Sequence, residues 1–403
     1  MKAVFMGLGY IGLPTAAVAA SKEIEVVGVD VNPEVVGTVN QGKIHIVEPD
    51  LDRLVKNVVE SGALKAAMEP EKADAFFIVV PTPFKQHHRA DISYVERATR
   101  TVIPYLREGN LFVIESTSPV MTTEKMAEII FKERPELRNK LYIAYCPERV
   151  LPGNVLYELE HNDRVIGGLN TESADRAAKF YGQFVKGRLH KTNARTAEMC
   201  KLVENSSRDV QIALANELSM ICEKSGVDVW ELIELANKHP RVKILHPGCG
   251  VGGHCIAVDP WFIVSDFPEQ ARIIKRARET NDYKADWCAN RTLEACEEFI
   301  RKNGREPVVA CMGLAFKPDI DDLRESPAVY IASRIISEAK VEVLVVEPNI
   351  KQHKTFNLTP YQEAYRKADI VAWLVRHQEF LTLPMDDNKI ELDFCGVKKT
   401  ELR

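Results

Sequence analysis

The chain has 403 residues, more than one ordinary hydrophobic core supports, so two or three domains are expected. Its hydrophobic fraction of 45% and charged fraction of 28% are those of an ordinary soluble globular protein. A formal net charge of -5 leaves no basic footprint for nucleic acid, so an acidic ligand has to be met by local cations.

Nine cysteines are scattered without C-x-x-C pairs or zinc spacing, and Cys249 and Cys255 are the closest two. Such a set fits a reducing cytoplasm, with most thiols acting as small core residues and no metal site. No apolar run approaches the ~20 residues of a membrane-spanning helix, so no membrane partner is expected. The chain enters a strand-like segment at once, and no targeting peptide is expected.

Residues Lys2–Met6 read as a short apolar strand, followed by Gly7-Leu8-Gly9-Tyr10-Ile11-Gly12 and an alanine-rich run. Strand, G-x-G-x-x-G, helix is the order of a Rossmann-type dinucleotide turn. Gly7 makes the turn, Gly9 admits the pyrophosphate, and Gly12 lets helix and strand pack closely. The helix N-terminus offers amide donors and a positive dipole end to the phosphates. A second strand, Glu25–Val29, ends at Asp30, where an adenine ribose diol would be held. The charge of Asp30 disfavours a 2′-phosphate, so NAD is expected rather than NADP. Apolar runs at 75–80, 111–115 and 141–145 end in Pro81-Thr82-Pro83, Ser116-Thr117-Ser118-Pro119 and Cys146-Pro147-Glu148-Arg149. Alternating strands and helices predict a parallel doubly wound sheet, with ligands beyond the carboxyl ends of its strands. Singly, Thr82, Thr117 and Glu148 would read as loop-capping hydroxyls and an N-cap acid. Three at equivalent strand ends point to a ligand.

Nothing breaks a helix over 196–225, and Gly226 is a plausible stop. Its apolar positions recur at helical spacing and suit a core or a subunit interface. Lys201, Asn205 and Arg208 share one face, although Glu198 and Glu204 make ordinary surface pairing of Lys201 an alternative. His239-Pro240-Arg241-Val242-Lys243 is a short basic segment, either a surface loop or a reach toward phosphate or carboxylate. Then comes P-G-C-G-V-G-G-H-C-I-A-V-D-P at 247–260, where Cys255 follows four glycines and precedes Asp259. Alone it would be a glycine-rich turn with a structural cysteine. Beside a dinucleotide site it suits a thiol aimed at a substrate held on backbone amides.

After Asn303-Gly304 the strand pattern restarts, with runs at 308–312, 341–346 and 370–375 and a helix at 328–339. Gly313 ends the first strand, followed by Phe316-Lys317-Pro318 and Arg324. Lacking G-x-G-x-x-G, this layer looks like a nucleoside diphosphate site, with Lys317 and Arg324 as its cations. The fold class expected is α/β: two Rossmann-like doubly wound domains, 1–195 and 301–403, joined by a helical middle region, 196–300, with a long central helix. An NAD site, a cysteine on a glycine loop and a second nucleotide layer suggest one chemistry. A cysteine traps an aldehyde as a thiohemiacetal, a second hydride transfer gives a thioester, and water releases the acid.

The segments G-L-G-Y-I-G-L-P, V-P-T-P, E-S-T-S-P-V, Y-C-P-E-R-V-L-P-G, E-M-C-K-L-V-E-N, G-V-G-G-H-C-I-A-V-D-P and G-L-A-F-K-P-D-I-D-D-L-R-E-S-P-A run from end to end of the chain. With them the chain resembles the UDP-glucose/GDP-mannose dehydrogenase family, the nucleotide-sugar 6-dehydrogenases. V-P-T-P-F-K, C-P-E-R-V-L-P-G, N-D-R-V-I-G-G and E-L-A-N-K-H-P-R-V are most similar to members acting on UDP-N-acetyl-D-mannosamine. The resemblance implies four-electron oxidation of the C6 hydroxyl with two NAD+, serving surface polysaccharide precursors. UDP-N-acetylglucosamine and UDP-glucose are the alternative substrates. It makes Cys255 the nucleophile, Lys201 the acid/base at the C6 hydroxyl and Asn205 a holder of the oxyanion. Asp259 acts with Lys201, and Glu148 assists hydrolysis. Tyr10, Ile11, Asp30, Thr82 and Thr117 line the NAD site. Arg149, Val150, Lys201, Asn205, Arg208, His239, Arg241, Gly252, Phe316, Lys317 and Arg324 contact the UDP-sugar. A homodimer or higher oligomer through the central helix is implied.

Two positions depart from the family pattern. Cys249 stands where proline is usual, which leaves the stiffness of the loop open and places a second thiol near Cys255; no productive disulfide between them is expected. Cys395 stands where a basic residue usually reaches NAD, and Lys398 or Lys399 are the substitutes at hand.

Overall fold

In the computed structural model, residues 1–85, 88–150, 153–384 and 386–398 are described. The chain divides into two compact units, Met1–Val203 and Glu204–Arg403. The first runs β1 (Lys2–Met6), α1 (Gly12–Ala20), β2 (Glu25–Val29), α2 (Pro33–Asn40), α3 (Leu51–Glu60), β3 (Leu64–Ala67), β4 (Ala75–Ile78), α4 (Ser93–Val102), β5 (Leu111–Ile114) and α5 (Thr122–Glu133). It continues through β6 (Tyr142–Tyr145), α6 (Val155–His161), β7 (Arg164–Gly168), α7 (Thr171–Tyr181) and β8 (Leu189–Asn193) into α8 (Ala194–Ser225). Its sheet has the order β3-β2-β1-β4-β5-β6-β7-β8. The pairings are parallel except β6 with β7.

Both faces of this sheet are covered, which is why its strands read as unbroken apolar runs. Successive side chains alternate between two cores. Ala3, Phe5, Val26, Phe77 and Val113 point into one. Val4, Met6, Val27, Phe76 and Phe112 point into the other. The strands at 75–80, 111–115 and 141–145 are shorter than the apolar runs that reveal them, ending at Ile78, Ile114 and Tyr145. The sequence reading does not contain β7 and β8. The second of these, L-H-K-T-N, is a polar, mostly exposed edge without an apolar signature.

Glu198 settles how α8 is seated within the first unit. It is fully buried, and its carboxylate accepts the backbone N–H of Met121 and of Thr123, each at 2.7 Å, and the Thr123 hydroxyl at 2.6 Å. It thus satisfies donors at the start of α5, whose own N-cap residue supplies no side-chain bond. Burial pushes its carboxyl up to about 7, against the pull of those donors. Glu198→Gln turns an amide NH2 toward one of these N–H groups and is expected to cost about 1–3 kcal/mol. The folded value lies above the ordinary 4.5, so Glu198 contributes stability below that value that is lost as the pH rises through about 7. Thermal melts should therefore show the Glu198→Gln deficit largest near pH 5 and smaller near pH 8. A deficit independent of pH would contradict this account.

The second unit contains the rest of α8, then α9 (Val229–Ala236), α10 (Asp259–Asp266) and α11 (Arg272–Asn303). A second layer follows: β9 (Val308–Met312), α12 (Pro327–Glu338), β10 (Glu342–Val346), α13 (Tyr361–Lys367), β11 (Ile370–Trp373) and β12 (Ile390–Asp393). Its sheet is parallel, in the order β10-β9-β11-β12. Again alternate residues part into two cores, Val309 and Cys311 against Ala310 and Met312. Helix α11 is as long as α8, 32 residues each, and is absent from the sequence reading. Its buried face is Ala277, Arg278, Asn281, Lys284, Ala285, Cys288, Ala289, Thr292, Cys296 and Phe299, in which three long polar side chains and small alanines weaken the hydrophobicity pattern. Gly304, at φ 66°, ends it in a left-handed cap.

Candidate active site

The turn after β1 is built for close backbone approach. Gly7 has φ +105°, and a Cβ there would lie 2.3 Å from the Val79 carbonyl oxygen. A Cβ on Gly12 would lie 2.0 Å from the Gly7 oxygen, whereas Gly9 has open space around it. Asp30 Oδ2 accepts the Leu8 N–H at 3.0 Å and Oδ1 that of Asn32 at 2.9 Å. Each oxygen keeps a lone pair for a diol. No side chain caps α1; the Leu13 and Thr15 N–H groups donate to the Gly9 and Ile11 oxygens, each at 3.1 Å, so what the helix offers an anion is its positive dipole end. Tyr10 is half exposed and Ile11 partly buried just before that helix. Ser116 Oγ accepts the Val80 N–H at 2.9 Å, tying together the loops that carry buried Thr82 and partly buried Thr117. Gly7, Gly9, Gly12, Asp30, Thr82 and Thr117 therefore lie at the carboxyl ends of β1, β2, β4 and β5. These groups suit a dinucleotide, with Gly9 leaving room for its pyrophosphate.

At the end of β6, Glu148 is a junction. Its Oε1 accepts the Arg149 N–H at 2.7 Å, and its Oε2 accepts from Arg164 Nη2 at 3.0 Å. Its main-chain oxygen accepts from Lys201 Nζ at 2.8 Å. Surface pairing of Lys201 with Glu198 is thereby removed, since Glu198 is buried against α5. Arg149 Nη1 donates to the Asp163 oxygen at 3.1 Å, and Val150 packs on the first core. Glu48, buried, accepts the N–H groups of Gly153 and Val155 at 2.9 and 2.8 Å and seats the start of α6. Leu151 and Pro152 of the C-P-E-R-V-L-P-G segment lie outside the described residues.

In the second unit the glycine-rich loop leads into α10. Cys255 is an exposed thiol, and its carbonyl accepts the N–H of Val258 at 3.0 Å and of Asp259 at 2.9 Å. Asp259, 3% exposed, opens α10, and its Oδ2 accepts from Asn205 Nδ2 at 2.5 Å. The amide of Asn205 has a second proton for an oxyanion. Glycines here serve packing as well as access. A Cβ on Gly252 would lie 2.6 Å from the Glu325 oxygen and 2.7 Å from Phe316 Cβ, and Gly253 N–H donates to the Arg324 oxygen at 2.9 Å. The loop is thus laid on the 316–325 segment, bringing Gly252, Phe316 and Arg324 together. Its other end is held by a buried polar chain. Gly248 N–H donates to Asn216 Oδ1 at 2.9 Å, and Asn216 Nδ2 to Asn281 Oδ1 at 2.8 Å. Asn281 Nδ2 and Arg278 Nη1 both donate to Asp209 Oδ1, at 2.8 and 2.7 Å.

Cys249 takes a core position. Its thiol donates to the Leu374 oxygen at 3.3 Å, and burial pushes its pKa well above the ordinary thiol value. Asn237 clasps both the N–H and the oxygen of Ile244, at 2.7 and 3.0 Å, and so shapes the loop of His239 and Arg241. His239 is exposed and its Nδ1 accepts the Arg241 N–H at 3.3 Å. Among the described residues, Arg208, Arg241 and Lys317 are exposed and carry no ion pair. Arg324 is forked onto Asp322, Nη2 to Oδ2 at 2.6 Å, so a phosphate would compete with that carboxylate.

The turn after β9 repeats that after β1: Gly313 has φ +99° and its N–H donates to the Val346 oxygen at 2.9 Å. Here the acid at the second strand's end is consumed. Glu347 Oε2 accepts the N–H of Leu314 and Ala315 at 2.7 and 2.8 Å and faces His377 Nε2 at 3.0 Å, all buried. It is not available to a ribose, in keeping with the missing third glycine. Lys398 Nζ donates to the Leu383 oxygen at 3.1 Å and lies 5.0 Å from the Trp373 ring centre, which commits it locally. Lys399 lies outside the described residues. Sequence reading missed Arg164, Asn237 and the Asp209–Arg278–Asn281–Asn216 chain. Of these, Arg164 and Asn237 fall in segments that the sequence singles out, N-D-R-V-I-G-G and E-L-A-N-K-H-P-R-V.

Residues 1–185 match the UDP-glucose/GDP-mannose dehydrogenase family, NAD binding domain; 195–283 match its central domain and 310–397 its UDP binding domain. The chain is 53% identical over 398 residues to the UDP-N-acetyl-D-mannosamine dehydrogenase of Escherichia coli (strain K12), covering 95% of both. It is 52% identical over 406 residues to the NDP-N-acetyl-D-galactosaminuronic acid dehydrogenase of Ralstonia nicotianae, covering 97% of this chain and 95% of that one. The solved structure of the UDP-D-ManNAc dehydrogenase from Pyrococcus horikoshii superposes with a TM-score of 0.90 at 40% identity, covering 100% of this chain and 97% of the other. With three domain matches in order, and relatives similar from end to end, the chain belongs to the UDP-glucose/GDP-mannose dehydrogenase family, an NAD-dependent nucleotide-sugar dehydrogenase with its NAD binding domain first and its UDP binding domain last.

Proposed function

We propose that the enzyme oxidises the C6 hydroxyl of UDP-N-acetyl-D-mannosamine to the uronate through a Cys255 thioester. The observation that carries this reading is an exposed thiol four residues ahead of a buried carboxylate, Asp259, that is held to Asn205. NAD, when bound, supplies the hydride acceptor for each of two oxidations. Lys201, tethered by the Glu148 oxygen, takes the C6 hydroxyl proton. The Cys255 thiolate then bonds to the aldehyde carbon, and the oxyanion is met by the second Asn205 proton. After the second oxidation, water attacks the acyl carbon, the C–S bond breaks with its electron pair on sulfur, and Glu148 takes the water proton. In sum, alcohol, two NAD+ and one water give carboxylate, two NADH and three protons. The exposed cations Arg208, Arg241 and Lys317 are suited to the diphosphate, and Arg149, Val150, His239, Gly252, Phe316 and Arg324 to the rest of the UDP-sugar. The three segments 1–195, 196–300 and 301–403 would divide NAD binding, cysteine chemistry and UDP binding.

The 53% identity to UDP-N-acetyl-D-mannosamine dehydrogenases supports the hexose. A second reading, an N-acetylgalactosamine nucleotide, is favoured by the 52% identical Ralstonia relative. NADH release with UDP-N-acetyl-D-mannosamine, UDP-N-acetylgalactosamine, UDP-N-acetylglucosamine, UDP-glucose and GDP-mannose decides between them. Two NADH per UDP-N-acetyl-D-mannosamine and little from the others is expected. Preference for another sugar would overturn the hexose, and one NADH per sugar the thioester route. No helix among the described residues is long and apolar enough to cross a membrane. The setting we propose is cytoplasmic. We also propose a homodimer or higher oligomer, supported by Leu214 and Ile221 on α8 and Leu235 on α9, which are 50%, 54% and 54% exposed. Light scattering on the assayed sample tests the oligomer.

A further inference from the structure

The first unit buries a polar cluster beneath the carboxyl ends of β5 and β6 that the steps above leave without a task. Arg164 opens β7, and its side chain is 4% exposed. Its Nη2 donates to Glu148 Oε2 at 3.0 Å, its Nη1 lies 3.9 Å from Cys146 Sγ, and its guanidinium carbon sits 5.0 Å from the Tyr181 ring centre. Tyr181 donates its hydroxyl to Glu115 Oε1 at 2.5 Å, and Glu115 Oε2 is buried without a partner. Two carboxyls therefore flank one guanidinium. They are not equivalent. Burial pushes Glu115 up to about 7 despite the pull of Arg164, and burial pushes the Cys146 thiol up to about 12. Burial thus disfavours the charged form of both, and Glu148 Oε2 is the carboxylate oxygen that the guanidinium bonds, at 3.0 Å.

We propose that Arg164 is a positioning residue for thioester hydrolysis: it fixes the Glu148 carboxylate in one orientation, so that this carboxylate can take the proton of the attacking water. The inference rests on the reading of Glu148 given above. A glutamate reaches its target through three rotatable bonds, and a charge-assisted bond from a buried, planar donor removes that freedom. With Oε2 held by Arg164 and Oε1 by the Arg149 N–H, each oxygen still has a lone pair for water. The same residue's main-chain oxygen holds Lys201, so Arg164 also steadies the peptide on which the C6 proton acceptor is hung.

The test uses the full-length enzyme with UDP-N-acetyl-D-mannosamine and NAD, comparing wild type with Arg164→Ala, Arg164→Lys and, as a control, Glu148→Gln. Reactions are quenched at steady state, and the Cys255 acyl adduct is quantified by intact-protein mass spectrometry beside kcat and KM. Arg164→Ala should lower kcat by about 30- to 100-fold with KM changed by less than about 3-fold, and most of the enzyme should carry the adduct. Guanidinium ion at tens of millimolar should restore part of that rate. Arg164→Lys keeps the charge without the fork, so it should fall between wild type and Arg164→Ala; it also carries the test should Arg164→Ala fail to fold. Accumulation in Glu148→Gln but not in folded Arg164 variants would overturn the assignment of Arg164. Absence of the adduct from Glu148→Gln itself would overturn the reading of Glu148, and the proposal with it.

Discussion

Cys255→Ser is expected to lower steady-state NADH formation by roughly 10³-fold or more while leaving the melting temperature unchanged within about 2 °C. The structural part follows from exposure. Cys255 is exposed, and its carbonyl, which accepts from Val258 and Asp259, is retained by serine. The chemical part follows from the nucleophile. A thiol ionises near neutral pH and a hydroxyl does not, so serine adds to the aldehyde carbon far more slowly. UDP-sugar affinity should change by less than about 3-fold, because the cations proposed for the diphosphate are elsewhere. Absorbance at the NADH band, with mass spectrometry of the sugar product, measures both. Full turnover to the acid in Cys255→Ser would mean that no acyl-enzyme is formed and that the protein acts as a two-electron dehydrogenase.

What the sequence discloses and what it hides divide along physical lines. The dinucleotide turn is legible because its constraints are local. Gly7 and Gly12 are forced by close approaches to the Val79 and Gly7 oxygens, and Asp30 stands at the end of the next strand. The alternation of strands and helices is legible because sheets covered on both faces need continuous apolar strands. Helix α11 is hidden because a polar network, with Arg278, Asn281 and Lys284 at its centre, occupies the face that hydrophobicity would mark. The partner of Lys201 is hidden for a related reason. Glu198 is three residues away and invites surface pairing, yet the orphan N–H groups of α5 claim it. Arg164 meets Glu148 only because β7 turns antiparallel to β6, a register that no motif encodes. The glycines of the Cys255 loop suggest access for the sugar from sequence alone; Gly252 and Gly253 also let the loop lie against Phe316 and Glu325.

Arg278→Met is expected to destabilise the second unit by about 3–5 kcal/mol and to lower its melting temperature by roughly 10 °C. Arg278 is 2% exposed and Asp209 fully buried, with Nη1 and Oδ1 2.7 Å apart. Removing the cation strands a carboxylate in the interior, and that cost exceeds what the pair contributes when intact. Burial already raises Asp209 above its ordinary 3.8, with Arg278 as the principal counterweight. Without Arg278 that pKa rises further, so the deficit should be smallest near pH 5 and grow toward pH 8. The damage should also reach the chemistry. Asp209 anchors Asn281, Asn281 anchors Asn216, and Asn216 holds the Gly248 N–H at the start of the Cys255 loop. Activity should therefore fall by about 10-fold or more below the melting transition, where the unit is still folded. The double variant Arg278→Met/Asp209→Leu removes the stranded charge and should recover at least half of the lost stability, because two apolar side chains replace two ions. Its activity should not recover to the same extent, since Asn281 has then lost the carboxylate and keeps only the main-chain oxygen of residue 209, at 3.1 Å, as acceptor. Melts of the three proteins at two pH values, with NADH assays at 25 °C, test each step. A single variant that melts within about 1 °C of wild type would show that the network carries neither the stability nor the loop.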